Sequence, residues 1–106
     1  MARSILAYLN DIVAACDSVA VTLEGVDIDA YVANRTVRAA VERELTIIGE
    51  AVNRISHARK IVALRNLLVH DYPAIIDAAV RAIADRDAPL LHEECTALID
   101  ELRRAD

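Results

Sequence analysis

The sequence contains no tryptophan or phenylalanine, and three tyrosines are its only aromatics. Ala, Val, Leu and Ile must therefore carry the core, which suits closely packed helices. Two glycines and two prolines are too few for the repeated turns of a β-sandwich or barrel. Two cysteines, Cys16 and Cys95, are far apart and match no metal-binding or redox spacing. Both fall inside apolar helical patterns and read as buried reduced thiols. No apolar run approaches the ~20 residues needed to span a bilayer. The N-terminus also lacks the charged-then-apolar layout of a signal peptide. The expected location is cytoplasmic, with no membrane partner.

What is present narrows the class further. The 106 residues suit one domain, 1–106, and are too few for two. Hydrophobic residues make up 56% of the chain, enough to leave an apolar face over for a partner. A net charge of −5 argues against the broad basic surface of a non-specific nucleic-acid binder. The charge is uneven, however. From Ala51 to His70 the chain has Arg54, Arg59, Lys60 and Arg65, with His57 and His70, and no acid. Any anion should meet that window, in weak, salt-sensitive binding confined to one cleft.

Hydrophobic periodicity predicts an all-α bundle of about five helices. Ser4 caps a first helix running to about Thr22, with Ile5, Leu9, Ile12, Cys16 and Val19 on one face. Leu23–Asp29 is a connector around Gly25, and Asp29–Asn34 forms a short helical turn. Asn34 caps a long helix with the stripe Val37, Val41, Leu45, Ile48, Val52 and Ile55. Ile61, Leu64 and Leu68 continue at helical spacing but on a face rotated by ~120°. This change of phase predicts a tight reversal at Ser56–Arg59 and a helix from Lys60 to about Asp71. Pro73 disfavours helical geometry at Tyr72 and ends it. Ile75–Ala84 is the next helix, and Asp87 with Pro89 marks the start of the last, or a kink before it.

The segment Arg65–Tyr72 concentrates chemistry at a helix end inside the basic window. Arg65 can fork onto a phosphate, and His70 is suited to proton transfer near neutral pH. Asn66 shares a helix face with His70 and can orient its imidazole. Arg65 and His70 are ~140° apart around one helix, so two copies across a dimer axis would build a composite site. Read without that context, the same residues are ordinary helix C-terminal caps and dipole partners.

The pattern Arg-x4-His-x-Tyr, here Arg65, His70 and Tyr72, resembles the signature of the HEPN superfamily, and more narrowly the HepT-like (DUF86) toxins. The stretches Glu44–Ser56, Leu64–Tyr72 and Asp87–Leu91 carry the resemblance across nearly the whole chain. It implies a HEPN-type bundle that forms a homodimer with two motif copies beside a shared cleft. It further implies a metal-independent ribonuclease of a toxin–antitoxin system, paired with a minimal nucleotidyltransferase (MNT) antitoxin. No cofactor, metal or DNA partner is implied. By that likeness Arg65 stabilises the phosphate and His70 is the general acid or base on the ribose 2′-hydroxyl. Asn66 supports the site, and Tyr72 receives AMP from the antitoxin. Glu50, on the helix expected to pack near the motif, is a supporting candidate by its position, biasing a proton in the cleft or forming a structural ion pair with Arg65 or Arg54. Arg54, Arg59 and Lys60 are candidate RNA-phosphate contacts.

Relatives of this type have a longer, proline-containing loop where this chain has only Ser56–Arg59. The short connection permits a rod from Val37 to Asp71 that exchanges partners between chains. It also permits a non-catalytic subunit that partners the nucleotidyltransferase. Several residues take blander readings. His57 is an exposed turn histidine, and Asp11 and Asp17 are solvated. Tyr8 and Tyr31 are packing residues, and Gly49 allows a close helix approach. His92 with Cys95 lacks the further ligands that zinc requires.

Overall fold

The computed structural model describes residues 4–55 and 77–105, all of whose regular structure is helical. Helix α1 spans Ile5–Leu23, α2 Ile28–Ala33 and α3 Arg35–Ile55. Helix α4, Asp77–Ala82, runs through a π-helical turn, Ile83–Asp87, into α5, Ala88–Ala105. The all-α expectation holds. The predicted reversal at Ser56–Arg59 and the helix from Lys60 to Asp71 lie outside the described residues.

Local sequence accounts for the helix starts. Ser4 Oγ accepts the Ala7 N–H at 3.2 Å, and Asn34 Oδ1 accepts the Val37 N–H at 3.0 Å. Each satisfies a donor that the first helical turn leaves unpaired. Helix α2 begins one residue earlier than the sequence pattern indicated, because Asp27 caps it: its Oδ1 accepts the Ala30 N–H at 2.8 Å. Gly25 has φ of +72° in the turn after α1, a conformation that disfavours any side chain with a Cβ.

Helix α1 is the middle of the bundle and packs against both α3 and α5. Leu9, Ile12 and Cys16 meet Ile48, Val52 and Ile55 on one side and Leu91, Cys95 and Ile99 on the other. At the opposite end a second cluster joins Val19, Leu23, Tyr31, Val41, Val80 and Ala84. The expectation about apolar length needs correcting here. Helix α1 is 19 residues long with mean hydropathy 1.4, long and apolar enough to cross a membrane by length and composition. Its alternating breaks at Asn10, Asp11 and Asp17 hid that from a search for uninterrupted runs. The apolar face fills the two clusters.

The junction at Asp87–Pro89 is not a new start but a π-helical turn that runs directly into α5. Pro89 has no N–H, and its ring would collide with the carbonyl four residues back in a regular α-helix. The π turn widens the helix just before it, with the Ala88 N–H bonding the Ile83 carbonyl, and the rod continues. Asp87 accordingly lies buried within the rod. Among the described residues, a Cβ at Gly49 meets no atom within 4 Å.

Arginines tie the second cluster together. Arg38 donates to the Val32 carbonyl of α2 and lies 3.7 Å from the Asp77 carboxylate of α4. Arg81 sits over the Tyr31 ring, 5.6 Å from its centroid, and its Nε contacts both Asp85 carboxylate oxygens at 2.9–3.0 Å. Tyr31 is therefore a packing residue as expected, only 1% exposed.

Candidate functional site

Of the candidate site residues, Glu50 and Arg54 are in the described structure. Arg65, Asn66, His70, Tyr72, Arg59 and Lys60 lie outside the described residues. Glu50 and Arg54 are one turn apart on the exposed side of α3, with Arg54 in the last turn. A cation there complements the negative end of the helix dipole. The two residues border an open cleft of about 820 Å³ between α1 and α3. Tyr8 and Asp11 line it from α1, Asn53 joins Glu50 and Arg54 from α3, and Ile47 and Ala51 contribute apolar surface.

Sequence reading assigned Tyr8 to packing and Asp11 to solvent, and did not single out Asn53. The spacing was visible on each helix: Tyr8 and Asp11 are three apart, and Glu50, Asn53 and Arg54 fall at three and four. Nothing in the sequence alone brings those two faces together. Their meeting follows from how the Leu9–Ile12 stripe packs against Ile48–Val52.

The cleft adjoins the end of α3, from which the chain continues toward the Arg65–Tyr72 motif. Both anchors of that connection are described. It leaves from Ile55 and returns at Asp77, whose carboxylate pairs with Arg38. Arg38 and Ile55 are separated along α3 by about 25 Å at ~1.5 Å per residue. The anchors thus lie toward opposite ends of the bundle.

A second hollow, about 490 Å³, lies between α1 and the π turn and is lined by Cys16, Val19, Ala84, Pro89 and His92 among others. His92 Nε2 is 2.9 Å from Asp17 Oδ1 across its edge. Asp17 is thus more than a solvated acid, and His92 pairs with it. Among the described residues, no group of three or more His, Cys, Asp or Glu side chains is arranged to hold a metal.

Cys16 and Cys95 are free and buried, as the sequence indicated. Burial pushes both thiols up to about 12, and the neighbouring Cys95 adds to the effect on Cys16. The folded chain therefore holds these protons at pH values where the unfolded chain loses them. The associated stability is full below the ordinary thiol value of 9.0 and is lost as pH climbs toward 12. The slope reaches about 1.4 kcal/mol per pH unit for each thiol. Urea unfolding at pH 8, 9, 10 and 11 should show the midpoint falling, and Cys16→Ser/Cys95→Ser protein should lack that component. A thiol reagent should label neither cysteine in the folded protein at pH 8.

Fold and site together define a small helical protein with a polar cleft beside the end of α3, the longest α-helix among the described residues. The chain is 30% identical over 102 residues to the protein named "Putative RNase MJ1380" of Methanocaldococcus jannaschii, an alignment covering 87% of this chain and 94% of that one. Two further proteins of that organism match over similar lengths. "Putative RNase MJ0125" is 26% identical, with 94% of this chain and 95% of the relative covered. "Putative RNase MJ1216" is 25% identical, with 98% and 94% covered. The chain belongs to the family of these archaeal proteins. No protein-family model and no solved structure matches it.

Proposed function

We propose that the protein is a metal-independent ribonuclease with Arg65 and His70 as its catalytic pair. The observation that carries this is the end-to-end kinship with proteins named as ribonucleases. The Arg-x4-His-x-Tyr motif supplies side chains fit for that chemistry. The ribose 2′-oxygen attacks the adjacent phosphorus as the bond to the 5′-oxygen breaks. The products are a 2′,3′-cyclic phosphate and a 5′-hydroxyl. His70 takes the 2′-hydroxyl proton or returns one to the leaving 5′-oxygen, and Arg65 holds the phosphate oxygens as charge builds on them. Asn66 and Glu50 support the site, while Arg54, Arg59 and Lys60 contact flanking phosphates. A homodimer brings two copies of the motif to one cleft.

The anchors bear on the connection. A continuous rod from Val37 to Asp71 would carry Asp71 about 50 Å from Arg38 along the helix axis. Six residues reach at most about 22 Å, too short to bring Asp77 back to Arg38. A chain that closes this ion pair on itself therefore does not fit an unbroken rod to Asp71, which supports the reading with a reversal between α3 and α4.

As a toxin, the protein would be silenced by an MNT-type nucleotidyltransferase. The Tyr72 hydroxyl attacks the α-phosphorus of ATP, pyrophosphate leaves, and AMP remains on the ring as a bulky anion beside Arg65. Incubation with the nucleotidyltransferase and ATP should add the mass of AMP, and Tyr72→Phe should abolish the gain. Modification of the Tyr72→Phe protein would place the acceptor elsewhere. The deciding test of the nuclease is cleavage of RNA in EDTA by purified protein beside Arg65→Ala and His70→Ala. Equal activity in all three overturns the assignment.

A further inference from the structure

We propose that the apolar hollow between α1 and the π turn binds an aliphatic diammonium ion, a function separate from the nuclease reading. Its floor is made by Cys16, Val19, Leu23, Ala84 and Ala88, all of them buried. Its rim is acidic: Asp17 and Glu24 border it from α1 and Asp85 from the π turn. The mouth opens to solvent, with the Asp17 side chain 64% and the Asp85 side chain 54% exposed. The volume of about 490 Å³ falls within the roughly 300–1,000 Å³ of small-ligand sites.

The order of charge and apolar surface selects the occupant. Asp17 and Glu24 are seven residues apart and differ by only about 20° around α1, so they share one edge about 10 Å apart along the axis. Between them lie Ala20, small and exposed, and the buried Val19 and Leu23. A carboxylate, an apolar stretch and a second carboxylate match two ammonium heads joined by methylenes. The methylenes lie on the floor while each head stays at the rim, the division that a lysine side chain makes on an apolar surface. A bare metal ion gains nothing from the floor, and an anion is repelled by the rim. Asp85 is already bonded to Arg81, which leaves Asp17 and Glu24 as the pair that meets the ligand. His92 Nε2 lies 2.9 Å from Asp17 Oδ1 and fixes that carboxylate at the edge, so less side-chain freedom is lost when an ammonium arrives. Among the described residues that line the hollow, none is Lys or Arg.

The test is titration of the full chain at pH 7.5 and low salt with hexane-1,6-diamine, propane-1,3-diamine and hexan-1-amine, read by amide chemical shifts. Hexane-1,6-diamine should shift Asp17, Ala20, Glu24 and His92. It should bind about fivefold more tightly than hexan-1-amine, the worth of one added exposed ion pair, and the advantage should shrink in salt. Propane-1,3-diamine, too short to span two helical turns, should bind no more tightly than hexan-1-amine. Asp17→Asn and Glu24→Gln should each bring the longer diamine down to the level of hexan-1-amine. Ala20→Leu, which fills the hollow from an exposed position, should weaken all three ligands. Equal binding of hexane-1,6-diamine and hexan-1-amine, an advantage that survives both neutral variants, or shifts confined to other surfaces would overturn the assignment. So would magnesium chloride reproducing the same shifts, since the rim would then be an acidic surface only.

Discussion

Replacing His70 with alanine should lower RNA cleavage by about 10²–10⁴-fold, the usual worth of a positioned general acid or base. The loss should fall on kcat, because the proton moves only as the transition state forms. Wild-type enzyme should show a pH–rate limb in the imidazole range, and the alanine protein should lack it. Arg65 gives a second measure. Its planar guanidinium can grip two phosphate oxygens at once, which an ammonium does not reproduce. Arg65→Lys should therefore remain well below wild type although the charge is kept. Initial rates on a labelled RNA, with circular dichroism to confirm helical content, decide both. A His70→Ala protein that cuts as fast as wild type removes the imidazole from the mechanism.

The largest structural effect is expected from Leu91→Ala. Leu91 is fully buried in the first cluster, where α5 meets α1, while its neighbour Leu90 is 48% exposed. Truncating Leu91 removes buried apolar surface and leaves a cavity that the packed helices only partly close, costing about 2–5 kcal/mol. Total stability of a domain this size is about 5–15 kcal/mol, so the loss consumes much of it. Leu90→Ala, made one position away on the solvent side, should fall within about 0.5 kcal/mol of wild type. Urea denaturation with an unchanged slope and a shifted midpoint is the readout. Equal effects at the two positions would mean that α5 presents a different face to the bundle.

Much of this architecture was legible from residue spacing. The stripes of α1, α3 and α5 could be read because each runs for several turns, and Ser4 and Asn34 announced their helix starts by residue type. The α2 boundary slipped because Asp27 and Asp29 are both plausible caps, and only backbone geometry chooses between them. The π turn was legible as a disturbance at Asp87–Pro89, yet its form was not. Whether a proline breaks a helix or widens one turn depends on how firmly both sides are packed. Here Val80 and Leu91 are each held in a core cluster, which favours continuity. The cleft was half legible: Arg54 stood out through the acid-free basic window and Glu50 through its place on the long helix, whereas Tyr8 and Asp11 joined them only through tertiary packing. The Asp17–His92 pair was missed for the same reason, since its members lie on helices far apart in sequence.

The central position of α1 has a consequence for the protein's birth. This helix is made well before its second packing partner, Leu91–Ile99 on α5. At synthesis rates of roughly 5–20 residues per second, the face carrying Leu9, Ile12 and Cys16 waits several seconds on the ribosome with half its cover missing. A 19-residue apolar helix left open for that time is a natural client for chaperones that bind emerging chains. Truncated products ending before α5 should be among the first forms of this protein to aggregate or be degraded.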